Sequence, residues 1–303
     1  MVDSASLLAA LLAEIGEAGE VARSPLRVWA MSGVERVRLP SSGQVIFKYA
    51  REPFTGEADV LRALARQDVP VAGLLASVRH GEHLGMLLED LGDPEREATD
   101  AEGAIAAVVA HGAKPPDWLP LLDVAAMADL PGRALTSLME LRSRGRWQDT
   151  DDLGVLLGVL ATVADDRAAD AAMPPFGLCH SEFHPTSLHV GQEGWRLLDW
   201  ARAVVGPGLI DLASWQGTTG PPDVEALDRL IAAYVAAGGA PEAAKPRGGV
   251  PAASWALGWH RLWAVEWYLE QATTWINDPS QDTTVEPVVR RHLKEAAEHL
   301  TLT

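Results

Sequence analysis

Two short β-rich runs, Val34–Leu39 and Gln44–Ala50, are joined by Pro40, Ser41, Ser42 and Gly43, residue types that punctuate hairpins. An apolar stripe of helical period then predicts a helix over Gly56–Gln67, with Thr55 as its N-cap. Leu74–Arg79 and Leu84–Glu89 follow as a second hairpin, turning at His80, Gly81, Glu82 and His83. Ahead of all these, Leu7–Ala13 reads as an amphipathic first helix. Beyond Gly92 the pattern becomes helical: Ala101–His111, Leu121–Ala128, Arg133–Arg144, Leu153–Ala169, Val224–Ala237, Trp255–Trp275 and Val288–Leu300. A strand-rich island from Gly177 to Leu198 interrupts the helices. The expected class is α+β. A small N-terminal α/β lobe with an antiparallel sheet spans residues 1–91, and a larger, mostly helical C-terminal lobe spans residues 92–303.

Composition narrows the function classes. No apolar run approaches the ~18 residues of a membrane helix, and Leu7–Ala13 lacks the basic flank of a signal peptide, so neither membrane nor export is expected. The 25 basic and 42 acidic residues leave a net charge of −17. That excludes nucleic acid as a partner, since affinity for it rests on Lys and Arg neutralising phosphates, and it suits a cationic small molecule. Equally, such an excess can serve solubility alone. A single cysteine, Cys179, excludes an internal disulfide and fits a reducing cytoplasm. Four of the basic residues are lysine, and the richness in Ala, Gly and Arg fits a high-GC bacterial source.

Candidate chemistry begins at Lys48. Alternation along Gln44–Ala50 puts Val45, Phe47 and Tyr49 on one face and Ile46, Lys48 and Ala50 on the other. A lysine there needs solvent or a counter-charge. Glu57, which shares a helical stripe with Leu61 and Leu64, can supply one, and the alternative is that the two never meet. Lys48 itself is expected to be an exposed cleft lysine. The island reads Leu178-Cys179-His180-Ser181-Glu182-Phe183-His184-Pro185-Thr186-Ser187-Leu188-His189-Val190, then a turn at Gly191–Gly194, then Trp195-Arg196-Leu197-Leu198-Asp199-Trp200. If Leu188–Val190 pairs with Trp195–Leu198, Ser187 and Asp199 flank the open end of the hairpin. With Glu182 ahead of Ser187 in a Pro-containing loop, three oxygen-bearing side chains are expected around one small volume, which suits a hard cation such as Mg²⁺.

These motifs resemble the aminoglycoside phosphotransferase family of small-molecule kinases, whose catalytic loop H-G-D-[LFW]-H-x-x-N is similar to H-S-E-F-H-P-T-S here. Asp199 in Leu198-Asp199-Trp200 matches the family's metal-binding aspartate, and Asp211-Leu212-Ala213 matches the aspartate that buttresses the loop. Leu88-Glu89-Asp90-Leu91-Gly92 resembles the hinge, and the turn Val69-Pro70-Val71 also fits. The resemblance runs from about Val28 to Trp215. It implies a protein-kinase-like fold with a Mg²⁺–ATP site between the lobes. Lys48 would hold phosphates, positioned by Glu57. Glu89, Asp90 and Leu91 would give backbone contacts to the base. Asp199 and Ser187 would bind Mg²⁺, Glu182 would orient the acceptor hydroxyl, and His180, His184 and Asp211 would support the loop. The acceptor would be a small polar alcohol, cationic or sugar-like, and its identity and the oligomeric state stay open.

Three departures from the family pattern matter. Glu182 replaces an aspartate, Ser187 replaces an asparagine, and Ser181 replaces a glycine, so an unusual backbone angle there would carry strain. One reading makes Glu182 and Ser187 a coupled, active variant. The other makes the chain a pseudokinase that binds nucleotide or another ligand without chemistry. His180-x-Glu182 is half of a zinc-deaminase signature, but one cysteine cannot complete it. His180, His184 and His189 could suggest zinc, yet Pro185 breaks any helix carrying them. Cys179 is expected to be a buried strand residue. Arg142, Arg144 and Arg146 read as a solvated helix end. Trp255, Trp259, Trp263 and Trp267 repeat every four residues, which suits either a packed core or an acceptor pocket in which Trp263 and Glu266 would touch substrate.

Overall fold

Leu7, Leu8, Leu11 and Leu12 form the buried side of helix α1 (Ser4–Glu14). They pack on one face of a sheet through Val37, Val45, Phe47, Ala76 and Leu87. In the computed structural model, which describes residues 4–41 and 43–301, this sheet has five antiparallel strands in the order β1-β2-β3-β5-β4. They are β1 (Ala22–Val28), β2 (Ser32–Arg38), β3 (Gln44–Arg51), β4 (Leu74–His80) and β5 (His83–Glu89), with α2 (Glu57–Ala65) between β3 and β4. Both expected hairpins form. Ser42, in the turn of the first, lies outside the described residues. β1 is an addition to the sequence reading. Thr55 is not the N-cap of α2: Gly56 holds that position without a side-chain cap. The Thr55 hydroxyl is engaged with Glu52 and Arg79 instead.

The chain divides into two compact units. The first runs up to Ala98 and takes in Thr186–Ala203, and the second comprises Thr99–Pro185 and the chain from Val204 on. The sequence reading ended the first lobe at residue 91 and left the island wholly in the second. Backbone pairing explains the difference. The hairpin β7 (Leu188–Gly191)–β8 (Gly194–Leu197) is tied to the first unit because Leu197 N–H donates to Pro70 O (2.8 Å) and Glu95 N–H donates to Val190 O (2.9 Å).

The second unit is built on helices α3 (Asp100–Gly112), α4 (Val124–Ala128), α5 (Leu130–Ser143), α6 (Asp151–Ala168), α7 (Gly208–Ser214), α8 (Val224–Ala236), α9 (Ala252–Glu270) and α10 (Asp282–Leu300). A two-stranded ribbon, β6 (Phe176–Cys179) with β9 (Val204–Pro207), lies among them. Thr99 and Glu102 cap α3 reciprocally. Of the arginines at the end of α5, Arg144 is exposed as expected and Arg142 and Arg146 are half-buried, and two of them also make tertiary contacts. Arg144 and Arg146 donate to Thr273 O and Ala272 O, and Arg146 also pairs with Asp282, which fixes the turn that ends α9. No helix among the described residues is long and apolar enough to cross a membrane.

α3 also meets Trp215, whose Nε1–H donates to Asp100 (2.8 Å) and whose ring packs on Phe183 at 5.2 Å. A Cβ on Gly103 would fall 2.6 Å from that indole. Gly103→Ala is therefore expected to lower stability by about 1–3 kcal/mol, although alanine is the better helix former by about 1 kcal/mol. Urea unfolding decides the sign, and a stabilised variant would show that Trp215 can give way.

Candidate functional site

β3 is the middle strand, and its two faces serve different ends. Val45 and Phe47 point into the α1 core, while Lys48 is buried on the opposite face with 6% of its surface exposed. Its ammonium lies 2.6 Å from Glu57 Oε2 and 2.6 Å from Asp199 Oδ1. Lys48 is thus not the exposed cleft lysine the sequence suggested. Burial works against its charge, but the fields of Asp199 and Glu57 outweigh burial and hold the ammonium above the ordinary lysine range.

Glu57 opens α2, where the helix dipole favours a carboxylate, and it is almost wholly buried. Its Oε1 also accepts the Trp200 N–H at 3.1 Å. Asp199 reaches the cluster from the end of β8. The pairs Leu188↔Leu197 and Val190↔Trp195 close the hairpin, and Leu198 N–H donates to Ser187 O (2.9 Å), so Ser187 and Asp199 flank its open end. Asp199 itself is left-handed, with φ 63° and ψ 58°, a conformation that aspartate tolerates better than most residues. Its carboxylate keeps 29% exposure, and Oδ2 lies 3.2 Å from Arg27 Nη1. A partly open carboxylate and a serine at one hairpin end are oxygen donors of the kind a hard cation such as Mg²⁺ takes.

In the segment Glu89–Gly92 the acidic side chains are engaged, and the Glu89 N–H donates to Gly73 O at 2.8 Å. The Glu89 carboxylate accepts from Gly73 N–H (2.8 Å). That of Asp90 is taken by Arg36 at 2.7 Å and by Gly92 N–H at 2.9 Å, and Leu91 is half-buried.

In the second unit, Asp211 on α7 is fully buried and accepts both the His180 N–H and the Ser181 N–H, each at 2.7 Å. His111 adds a third contact at 3.3 Å and bridges to Tyr234. This brace holds Ser181 at φ 64°, the angle a glycine would take without strain. Phe183 is buried and also meets His180 edge-on, whereas Glu182 and His184 are half-buried. Cys179 is buried, and burial pushes its thiol well above the ordinary range. His189 belongs to the first unit and faces Gly92 O at 3.3 Å.

The tryptophan stripe divides. Trp255 and Trp259 are fully buried and donate to Arg167 O, so they are core. Trp263 is half-buried and lines a cavity of about 10 Å³, roughly one water in size, with Cys179, Ser181 and Asp211. Glu266 is paired with Arg133 at 3.1 Å. Arg27, Arg36, His111, Phe183 and Trp215 were not singled out from the sequence. Of these, Phe183 was open to notice, as an apolar residue between two polar ones inside the loop motif.

The two backbone contacts to Asp211 are testable. Asp211→Asn keeps the shape but turns an amide NH₂ toward one of the two N–H donors. It is expected to cost about 2–4 kcal/mol in unfolding experiments and to speed hydrogen exchange at His180 and Ser181. Unchanged stability and exchange would remove the brace.

The family model described as "Phosphotransferase enzyme family" matches residues 36–247. Solved structures share the fold. A choline/ethanolamine kinase family protein from Mesorhizobium loti is 16% identical over 97% of this chain and 95% of its own, with a TM-score of 0.62. An aminoglycoside-3'-phosphotransferase of type VIII is 18% identical over 85% and 98%, with a TM-score of 0.57. The aminoglycoside phosphotransferase APH(3'')-Id from Streptomyces rimosus, solved with ADP and streptomycin, is 17% identical over 100% of both chains, with a TM-score of 0.51. No curated protein matches the chain in sequence.

Proposed function

We propose that this chain, which belongs to the phosphotransferase enzyme family and is a small-molecule kinase or phosphotransferase, transfers the γ-phosphoryl group of ATP to a hydroxyl of a small polar acceptor. The observation that carries this reading is the Lys48–Glu57–Asp199 cluster: an ammonium fixed by two carboxylates, one of them partly open. Glu57 keeps Lys48 aimed, and Lys48 holds the phosphates. Asp199 and Ser187 hold Mg²⁺, which when bound neutralises charge on the phosphoryl oxygens. The main chain of Glu89, Asp90 and Leu91 receives the base. Glu182 orients the acceptor hydroxyl from a loop that His180, His184 and Asp211 keep rigid. On the acceptor side, Trp263 offers an indole face, and Glu266 is an acid that a cationic acceptor would share with Arg133. Catalysis of this kind is positioning plus electrostatics.

The burial of Lys48 decides how the reading is tested. Lys48→Ala would leave the buried Glu57 without its cation and beside a second carboxylate, at a cost of about 3–5 kcal/mol, so it confuses function with fold. Asp199→Asn is cleaner, since asparagine also accepts the left-handed backbone. Isothermal calorimetry with Mg²⁺ and ATP, and phosphate transfer across aminoglycosides, amino sugars, choline and macrolides, are the measurements. The natural chain is expected to bind ATP only with the metal and to phosphorylate at least one acceptor, and Asp199→Asn to lose about a hundredfold or more of that activity. ATP binding that ignores a chelator would refute the metal assignment. ATP bound without transfer to any acceptor would make the chain a ligand-binding relative.

Glu182 and Ser187 give a second test. As a coupled pair, Glu182→Asp and Ser187→Asn should each reduce transfer, and the double variant should recover part of the loss, with a coupling of about 0.5–3 kcal/mol. Strictly additive rate effects would end the coupling idea.

A further inference from the structure

Arg27 is drawn to Asp199 by a device in the sheet. β1 pairs with β2, but the register shifts between Pro25 and Arg27, a bulge at Leu26. A one-residue shift moves every later side chain to the other face of a sheet. After it, Arg27 stands opposite Val34, Val34 opposite Lys48, and Lys48 opposite Met86. Residues opposed across strands share a face, so the bulge puts Arg27 on the face that carries Lys48. From there its guanidinium meets Asp199 Oδ2 at 3.2 Å, while Lys48 takes Oδ1 at 2.6 Å.

The two cations differ in what they are free to do. Lys48 is buried and tied to Glu57 as well. The Arg27 side chain is 67% exposed, and an exposed ion pair is weakly held. Lys48, Arg27, Glu57 and Asp199 together are neutral, whereas a magnesium–triphosphate complex brings net negative charge into a chain that already carries −17. A planar guanidinium matches two phosphate oxygens at once, better than it matches one carboxylate oxygen at 3.2 Å.

We propose that Arg27 is a phosphate-binding residue that rests on Asp199 until nucleotide arrives, then passes to the phosphates and releases Oδ2 for the metal. This rests on the nucleotide site proposed above. The test is calorimetry of ATP, ADP and adenosine with Mg²⁺ on the natural chain, Arg27→Gln and Arg27→Lys, joined to Mn²⁺ titration of each chain without nucleotide. Arg27→Gln is expected to weaken ATP and ADP by about tenfold and leave adenosine unchanged, while Arg27→Lys recovers part of the loss. Without nucleotide, Arg27→Gln should bind Mn²⁺ several-fold more tightly. If the natural chain binds ATP and Arg27→Gln binds it equally well, the phosphate role is overturned and the nucleotide site stands. Adenosine weakened as much as ATP would overturn it too, as damage to the sheet. Equal Mn²⁺ affinity would overturn the resting contact. A natural chain that binds no ATP would end both the site and this inference.

Discussion

An ammonium enclosed between two carboxylates, and nearly sealed from water, sets the terms for the first unit. Lys48 and Glu57 would each be costly to bury alone, and the ammonium is tolerable because both carboxylates lie within hydrogen-bond reach of it, whereas the two acids repel each other and are held together by the lysine. The three come from a strand, a helix start and a hairpin end, so the cluster ties those elements to one another. β3 makes this possible by dividing its faces, with Phe47 anchored in the leucines of α1 and Lys48 turned the other way.

The second unit solves a related problem with one charge rather than three. Asp211 is wholly buried with no lysine or arginine paired to it among the described residues, and main-chain N–H groups take the place of a counter-ion. Because those donors belong to the loop itself, the carboxylate dictates the loop's path, including the left-handed turn at Ser181. The serine accepts a backbone angle that its side chain disfavours, and the two short hydrogen bonds beside it, with the Phe183 anchor, keep it there.

Much of this was legible because it follows from periodicity. Alternation around Lys48, the stripe bearing Glu57, and the turn between β7 and β8 each predicted an element that formed. What escaped lacks contrast between its faces. β1 is exposed at nearly every position and carries Pro25, so it has no inward side to reveal it, and Arg27 went unnoticed with it. α7 fails in the opposite way: all seven of its residues are buried, so no polar face betrays a helix. The capping of α2 was misread because a threonine beside a helix start can spend its hydroxyl elsewhere. The tryptophan stripe kept its spacing but not one role, since spacing fixes a face and leaves open how far along the helix that face stays covered.

The path of the chain also sets a timetable. Lys48 and Asp199 are 151 residues apart, and the hairpin that delivers Asp199 is completed only after α3 to α6 have been made. On the ribosome the sheet emerges early, yet its central lysine gains a second acid only once the β7–β8 hairpin has followed. Contacts of such long sequence separation carry a large loop-closure cost and form late. Until then the pairing of Lys48 with Glu57 is what can keep the nascent sheet from carrying a bare charge at its centre. A fragment ending at Ala98 would be arrested at that stage, with Lys48 and Glu57 present and Asp199 not yet made, which makes it a tractable mimic of the nascent chain.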